Sequence, residues 1–198
     1  MKYALVTAAG FAAAFMMTGN AAQAQQQDPN CTSDAESVWD MSAQEVESFY
    51  ACMEDWMKQC YAQNGHDVGA VYRDWTVTST RPAVAGAHSN RLLQTFANDA
   101  AAEQYLKFET DGVEMPAGAV LAKESFALKD GKGVIGPLFI MTKLEEGSSP
   151  ETDDWHYSGL TNTGDEMRVS QSFCHDCHVS WEAQDMMAYP LEEVRVSN

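Results

Sequence analysis

The feature that most constrains this chain lies near its end: Phe173-Cys174-His175-Asp176-Cys177-His178, a C-x-x-C-H run. Two thiols separated by two residues and followed at once by histidine have the spacing of covalent c-type haem attachment. In a helical turn the sulfurs stand about one turn apart, and the next side chain falls beneath the macrocycle. Cys174 and Cys177 are therefore the expected thioether positions, and His178 the expected iron ligand. With five Cys and five His in 198 residues, chance would produce such a run only ~0.003 times. A thioredoxin-like pair would follow the first strand of a βαβ unit, and no such pattern precedes Cys174. A zinc site would need further Cys or His at ligand spacing, and Cys31, Cys52 and Cys60 lie far upstream. His175, inside the motif, is expected to be exposed and unliganded.

The other end supports this reading. Met1 to Ala24 has the form of a secretory signal peptide: Lys2, an apolar stretch from Leu5 to Met17, and Ala22-Gln23-Ala24 as the cleavage site. The stretch is too short, and its flank too polar, for a membrane anchor. Export agrees with thioether formation, which takes place in a redox-managed compartment outside the cytoplasm. A soluble periplasmic protein, signal removed after Ala24, is the expectation. The formal charge of −17 argues against nucleic acid and membrane insertion as partners and suits a basic or neutral protein.

Between the ends, Ser42-Ala43-Gln44-Glu45 reads as a capping box, with Val46, Phe49, Tyr50, Met53, Trp56, Met57, Cys60 and Tyr61 following at helical spacing up to Asn64-Gly65. A shorter helix begins near Asp67, with Val68, Val71, Tyr72 and Trp75 on one face. Cys52 and Cys60 stand two helical turns apart, too far to bridge each other. Cys31 is free to bridge either one, and spacing does not choose between them. From Pro82 the pattern changes. The expected elements are a strand over 91–97, a helix capped by Asn98 and running to about Phe108, a strand over 119–128, a turn at 129–133 and a returning strand over 134–143. A loop, a strand over 155–160, a turn over 161–165 and a helical segment around Cys174 follow. A small cytochrome c carries its motif near the N-terminus, and a four-helix cytochrome c-prime has no sheet, so neither architecture suits this order.

Tyr72-Arg73-Asp74-Trp75, His88-Ser89-Asn90-Arg91, Phe96-Ala97-Asn98, Tyr105, Pro116-x-Gly118, Val120-Leu121-Ala122-Lys123-Glu124, Met141-x-Lys143, Asp154-Trp155 and Cys174-x-x-Cys177-His178, taken together and in order, resemble the cytochrome P-460 family. The resemblance implies an α+β fold: an antiparallel β-sheet haem domain over 72–198, an N-terminal helical extension within 25–71, and a C-terminal haem-attachment segment. It implies one covalent haem c, ligated by His178 and open on its other face. Cytochromes P-460 oxidise hydroxylamine, pass the electrons to a partner cytochrome, and carry a lysine joined to the haem. The related β-sheet cytochromes c-prime lack that bond and take up nitric oxide or carbon monoxide.

The branch therefore turns on a lysine. Lys123, on a strand, and Lys107, on the helix after Asn98, are the candidates for that bond. Glu124 is the candidate proton acceptor, although strand alternation sets it on the face opposite Lys123. Phe126 and Phe139 are candidates for the roof over the iron. Met141, His88 and His156 are alternative sixth ligands, any of which would make an electron-transfer cytochrome instead. A homodimer is compatible with the family.

Overall fold

The computed structural model describes residues 29–197, so the signal-peptide segment lies outside the described residues. The capping box forms as expected: the Ser42 hydroxyl accepts from Glu45 N, and the Glu45 carboxylate accepts from Ser42 N. It starts α1, Ala43–Ala62, which buries Val46, Phe49, Met53, Met57, Cys60 and Tyr61 along one stripe. Gly65, at φ 69, turns the chain out of the helix. His66 then caps α2, Asp67–Val71, its ring nitrogen accepting from Val68 N and Gly69 N. Tyr72 is buried, but Val71 on the same expected face is exposed.

Seven strands make one antiparallel sheet: β1 (Thr76–Val77), β2 (Ala83–Ala85), β3 (Arg91–Ala97), β4 (Val120–Lys129), β5 (Lys132–Ile135), β6 (Leu138–Lys143) and β7 (Trp155–Leu160). Their order is β1-β3-β4-β6-β7, with β2 also on β3 and β5 also on β4. The fold is therefore α+β with a helical N-terminal part. Two- and three-residue strands such as β1 and β2 carry no periodicity to read. The helix after Asn98, α3, spans Asp99–Tyr105 and stops short of Phe108, which sits at φ 51.

The returning strand expected over 134–143 is broken into β5 and β6. Phe126 pairs with Ile135 but Lys123 with Phe139, so the return arm holds one extra residue at Gly136-Pro137. Pro137 has no N–H to give the ladder. Its carbonyl instead accepts from Ser125 Oγ at 2.5 Å, and Gly136 N donates to Ser125 O at 2.7 Å. A Cβ at Gly136 would lie 2.3 Å from Ser125 Oγ and 2.6 Å from Arg91 Nη1, so the bulge needs glycine there.

Both faces of the sheet are covered. Leu92, Phe96, Ala122, Phe126 and Ile140 pack under Phe49, Met53, Met57 and Tyr61 of α1. On the other face Ala97, Leu121, Met141 and Tyr157 pack with Ala101 and Tyr105 of α3 and with Met186 and Met187. Central strand β4 consequently has no solvent face over Leu121–Phe126.

Cys31 bridges Cys52, tying the chain ahead of α1 to the middle of the helix, and leaves Cys60 as a buried thiol. The bridge closes a loop with a sequence separation of 21 residues. Cys31→Ser with Cys52→Ser is expected to lower unfolding free energy by about 3 kcal/mol, read as a shift of the urea midpoint. Reduction of the unmodified protein should reproduce that shift and have no effect on the double variant.

Candidate functional site

The C-x-x-C-H segment forms α4, Gln171–His178, whose Ser170 cap accepts from Phe173 N. The helix is pinned to β7 by one side chain. Gln171 Oε1 accepts from Tyr157 N at 2.8 Å, and its Nε2 donates to Tyr157 O at 2.6 Å, satisfying the outer edge of that strand. Cys174 is half-buried and Cys177 exposed, and neither is bridged. Burial pushes the Cys174 thiol up.

His178 is buried, and its Nδ1–H donates to Met186 O at 2.7 Å. That bond fixes the tautomer and leaves Nε2 as the free lone pair, which is how a metal-binding imidazole is held. Burial, aided by the nearby Lys123 charge, brings its pKa down to about 4, so the ring is neutral at physiological pH. The accepting carbonyl is itself fixed. Asp185 and Met186 both sit in the left-handed region, and the Asp185 carboxylate accepts from Lys143 Nζ and Met115 N, each at 2.7 Å, and from Trp155 Nε1 at 3.2 Å. Two unpaired thiols one turn apart and an oriented neutral imidazole directly after them are a donor set that fits a c-type haem.

Around His178 the sheet contributes Tyr157, Phe139 and Lys123. The Tyr157 ring centroid lies 5.2 Å from that of His178. His88, in the turn before β3, has its ring 6.5 Å from His178 and 4.5 Å from Phe139. Phe139 is the cross-strand partner of Lys123, so the two share a face.

Lys123 is only 5% exposed. Its ammonium donates to Ala188 O at 3.3 Å and makes no ion pair among the described residues. Burial alone brings its pKa down to about 8. Its charge adds to burial in lowering the pKa of both His88 and His178. A strand lysine normally marks a solvated face; here both faces of β4 are covered, and the amine turns into the site.

Glu124 is not brought to this site. It lies on the α1 face, fully buried: its Oε1 accepts from Arg73 Nε at 2.5 Å and from Tyr72 OH, and its Oε2 from Tyr50 OH at 2.8 Å. Burial pushes its carboxyl up, while the Arg73 guanidinium and the two hydroxyls pull it back down. These contacts make it a structural anchor for α1 and α2, on the face opposite Lys123 as strand alternation required, and it is not in place as the candidate proton acceptor. Lys107 is exposed and donates to Gln104 Oε1 at 2.8 Å, away from the site. Phe126 packs against Phe49 and Tyr50 on the α1 face, so of the two expected roof residues only Phe139 is in position. His156 is exposed, and Met141 is core, paired with Leu121 and Tyr157.

His175 is not the exposed residue expected. Its side chain is largely buried, with Nε2 3.4 Å from Asp153 and Nδ1 3.5 Å from Tyr157 OH, an arrangement that clamps α4 to the loop before β7. Gln171, Asp153, Asp185 and the carbonyls of Met186 and Ala188 were also missed. The two carbonyls carry no side-chain signal to find.

The family model described as Cytochrome P460 matches residues 69–188, from α2 to the residue whose carbonyl holds Lys123. It leaves α1 outside. No curated protein matches the chain.

Proposed function

Because the chain belongs to the cytochrome P460 family, whose members are haem cytochromes, we propose that it oxidises hydroxylamine and passes the electrons to a partner cytochrome. Cys174 and Cys177 attach one haem c, His178 is the protein ligand to its iron, and Lys123 is the lysine joined to the haem. The observation that carries this reading is Lys123: an enclosed amine with no carboxylate partner among the described residues, on the same sheet face as Phe139 and bonded to Ala188 O, two residues from the carbonyl that holds His178.

The haem, when bound, supplies an iron that takes up a nitrogen ligand and accepts its electrons. The chain's own residues prepare that site. Met186 O holds His178 with Nε2 outward, and Phe139 and Tyr157 provide apolar walls that keep water from the iron's surroundings. With its pKa brought down to about 8, roughly a tenth of Lys123 is free amine at pH 7, far more than an exposed lysine offers, and only that form carries a lone pair. An exported, periplasmic location is part of the proposal. The Cys31–Cys52 bridge supports it, since such bonds persist in oxidising compartments, and among the described residues no helix is long and apolar enough to cross a membrane.

A second reading has its own support. With Glu124 on the far face and Phe139 in the site, no carboxylate bonds to Lys123, His88 or His178 among the described residues. A site without a carboxylate base suits a protein that binds nitric oxide or carbon monoxide without turnover. Peptide mapping of the holoprotein separates the two. The hydroxylamine reading expects a haem peptide joining Cys174, Cys177 and the segment around Lys123, lost in Lys123→Met, together with hydroxylamine-dependent reduction of an added cytochrome c. Two thioethers and no lysine bond would leave the gas-binding reading.

A further inference from the structure

We propose that His88 is a displaceable second axial ligand, closing the iron face opposite His178 in the resting protein and giving way to an incoming substrate or gas. The inference rests on the assignment of His178 as the iron ligand, and concerns what stands across from it.

His88 ends the turn Gly86–His88 between β2 and β3, and is followed by Ser89 and Asn90 at φ 60 and 54. Its ring and that of His178 are 6.5 Å apart, centre to centre, at 75° to one another. With metal–imidazole bonds of about 2 Å, two rings at this separation have room for one metal ion between them. They do not have room for a metal and a ligand the size of hydroxylamine as well. An occupant of the iron's second face would have to move His88.

The environment of the ring fits this role. His178 spends Nδ1 on Met186 O, so its metal-binding nitrogen is free. His88 is half-buried, and neither of its ring nitrogens has a hydrogen-bond partner among the described residues, so no protein group has to be released before it binds a metal. No carboxylate is bonded to it among the described residues, and its ring stands 4.5 Å, centre to centre, from that of Phe139, tilted at 55°. The other candidates are excluded by position: His156 is exposed, and Met141 is packed in the next row of the sheet.

The turn can also let go. Pairing of β2 with β3 ends at Ala85 and Arg91, so residues 86–90 lie outside the ladder. Gly86, Ala87, Ser89 and Asn90 are small and exposed, and no side chain caps the turn. Swinging His88 away would break no strand pairing.

The test uses the purified holoprotein and its His88→Ala variant. The resting ferric protein should give the low-spin paramagnetic resonance and visible spectra of two axial imidazoles. The variant should be high-spin and return to low-spin when imidazole is added. Carbon monoxide uptake by the ferrous wild type should reach a plateau rate with rising gas, set by release of His88. The variant should show no plateau and take up gas faster by roughly tenfold or more, the release step having been removed. A high-spin wild type would overturn the proposal, as would a low-spin variant without added imidazole, or a low-spin wild type that never takes up carbon monoxide. Because the wild-type spectrum alone can refute it, the outcome does not depend on the variant folding. Failure here leaves covalent haem and the lysine bond intact in the peptide map, whereas failure of the site assignment removes the haem peptide itself.

Discussion

Replacing Cys174 and Cys177 together by alanine is expected to abolish both thioethers, read as a large drop in haem stain on a denaturing gel. Each thioether requires its own thiol, and both thiols stand unbridged on α4. Either single variant keeps one thioether and should stain less than the unmodified protein. Once Lys123→Met is added to the double variant, haem is held by His178 alone, a coordinate bond that acid and organic solvent break, so the pigment should extract completely. A lysine bond would change this pattern in a recognisable way. If Lys123 is joined to the haem, some stain survives the double substitution and disappears only when Lys123→Met is added. Full stain in the triple variant would refute the assignment of these residues.

The second large effect concerns stability. Arg73→Met is expected to destabilise the fold by about 3–5 kcal/mol, because it leaves the Glu124 carboxylate buried without its cation. Arg73 joins three parts of the molecule: its Nε meets Glu124 on β4, its Nη1 lies 3.2 Å from Glu54, and its Nη2 donates to Glu54 O at 2.9 Å on α1. Tyr50 and Tyr72 donate to the same carboxylate, but hydroxyls do not neutralise it. Removing both charges in Arg73→Met with Glu124→Leu should recover most of the loss, since a buried ion pair exchanged for apolar groups is often close to neutral. Urea midpoints of the two single variants and the double form the cycle. If Arg73→Met changed the midpoint no more than an exposed pair does, the cluster would not be holding α1 to the sheet. Haem absorption of Glu124→Gln should match that of the unmodified protein, because Glu124 lies across the sheet from His178.

Local chemistry decided a good deal. The capping box fixed the start of α1, and its 3.6-residue stripe fixed which side is buried. Strands β3 and β7 fall on the expected residues, because each carries a strong apolar run between turn signals. The C-x-x-C-H run pointed to haem attachment by its spacing alone, an assignment that the haem stain and the peptide map test. Alternation along Val120–Lys129 also separated Lys123 from Glu124 correctly.

Alternation cannot say what covers each face, and this is where the tertiary structure decided. Lys123 and Glu124 are both enclosed because α1 closes one side of β4 while α3 and the C-terminal segment close the other. Glu124 then meets Arg73, which neutralises it, whereas Lys123 meets only a carbonyl and has its pKa lowered by burial. Cys31 had two partners within reach, and the path of the chain ahead of α1 selected Cys52. His88 and His178, ninety residues apart in sequence, have their rings 6.5 Å apart only in the folded chain, which also sets the turn before β3 against Phe139 of β6. The sequence by itself determined which groups can hold a haem and which elements carry them, because both follow from short-range spacing. Which titratable side chains surround that haem, and in what charge state, follows from burial and pairing between distant segments, and only the folded chain sets those.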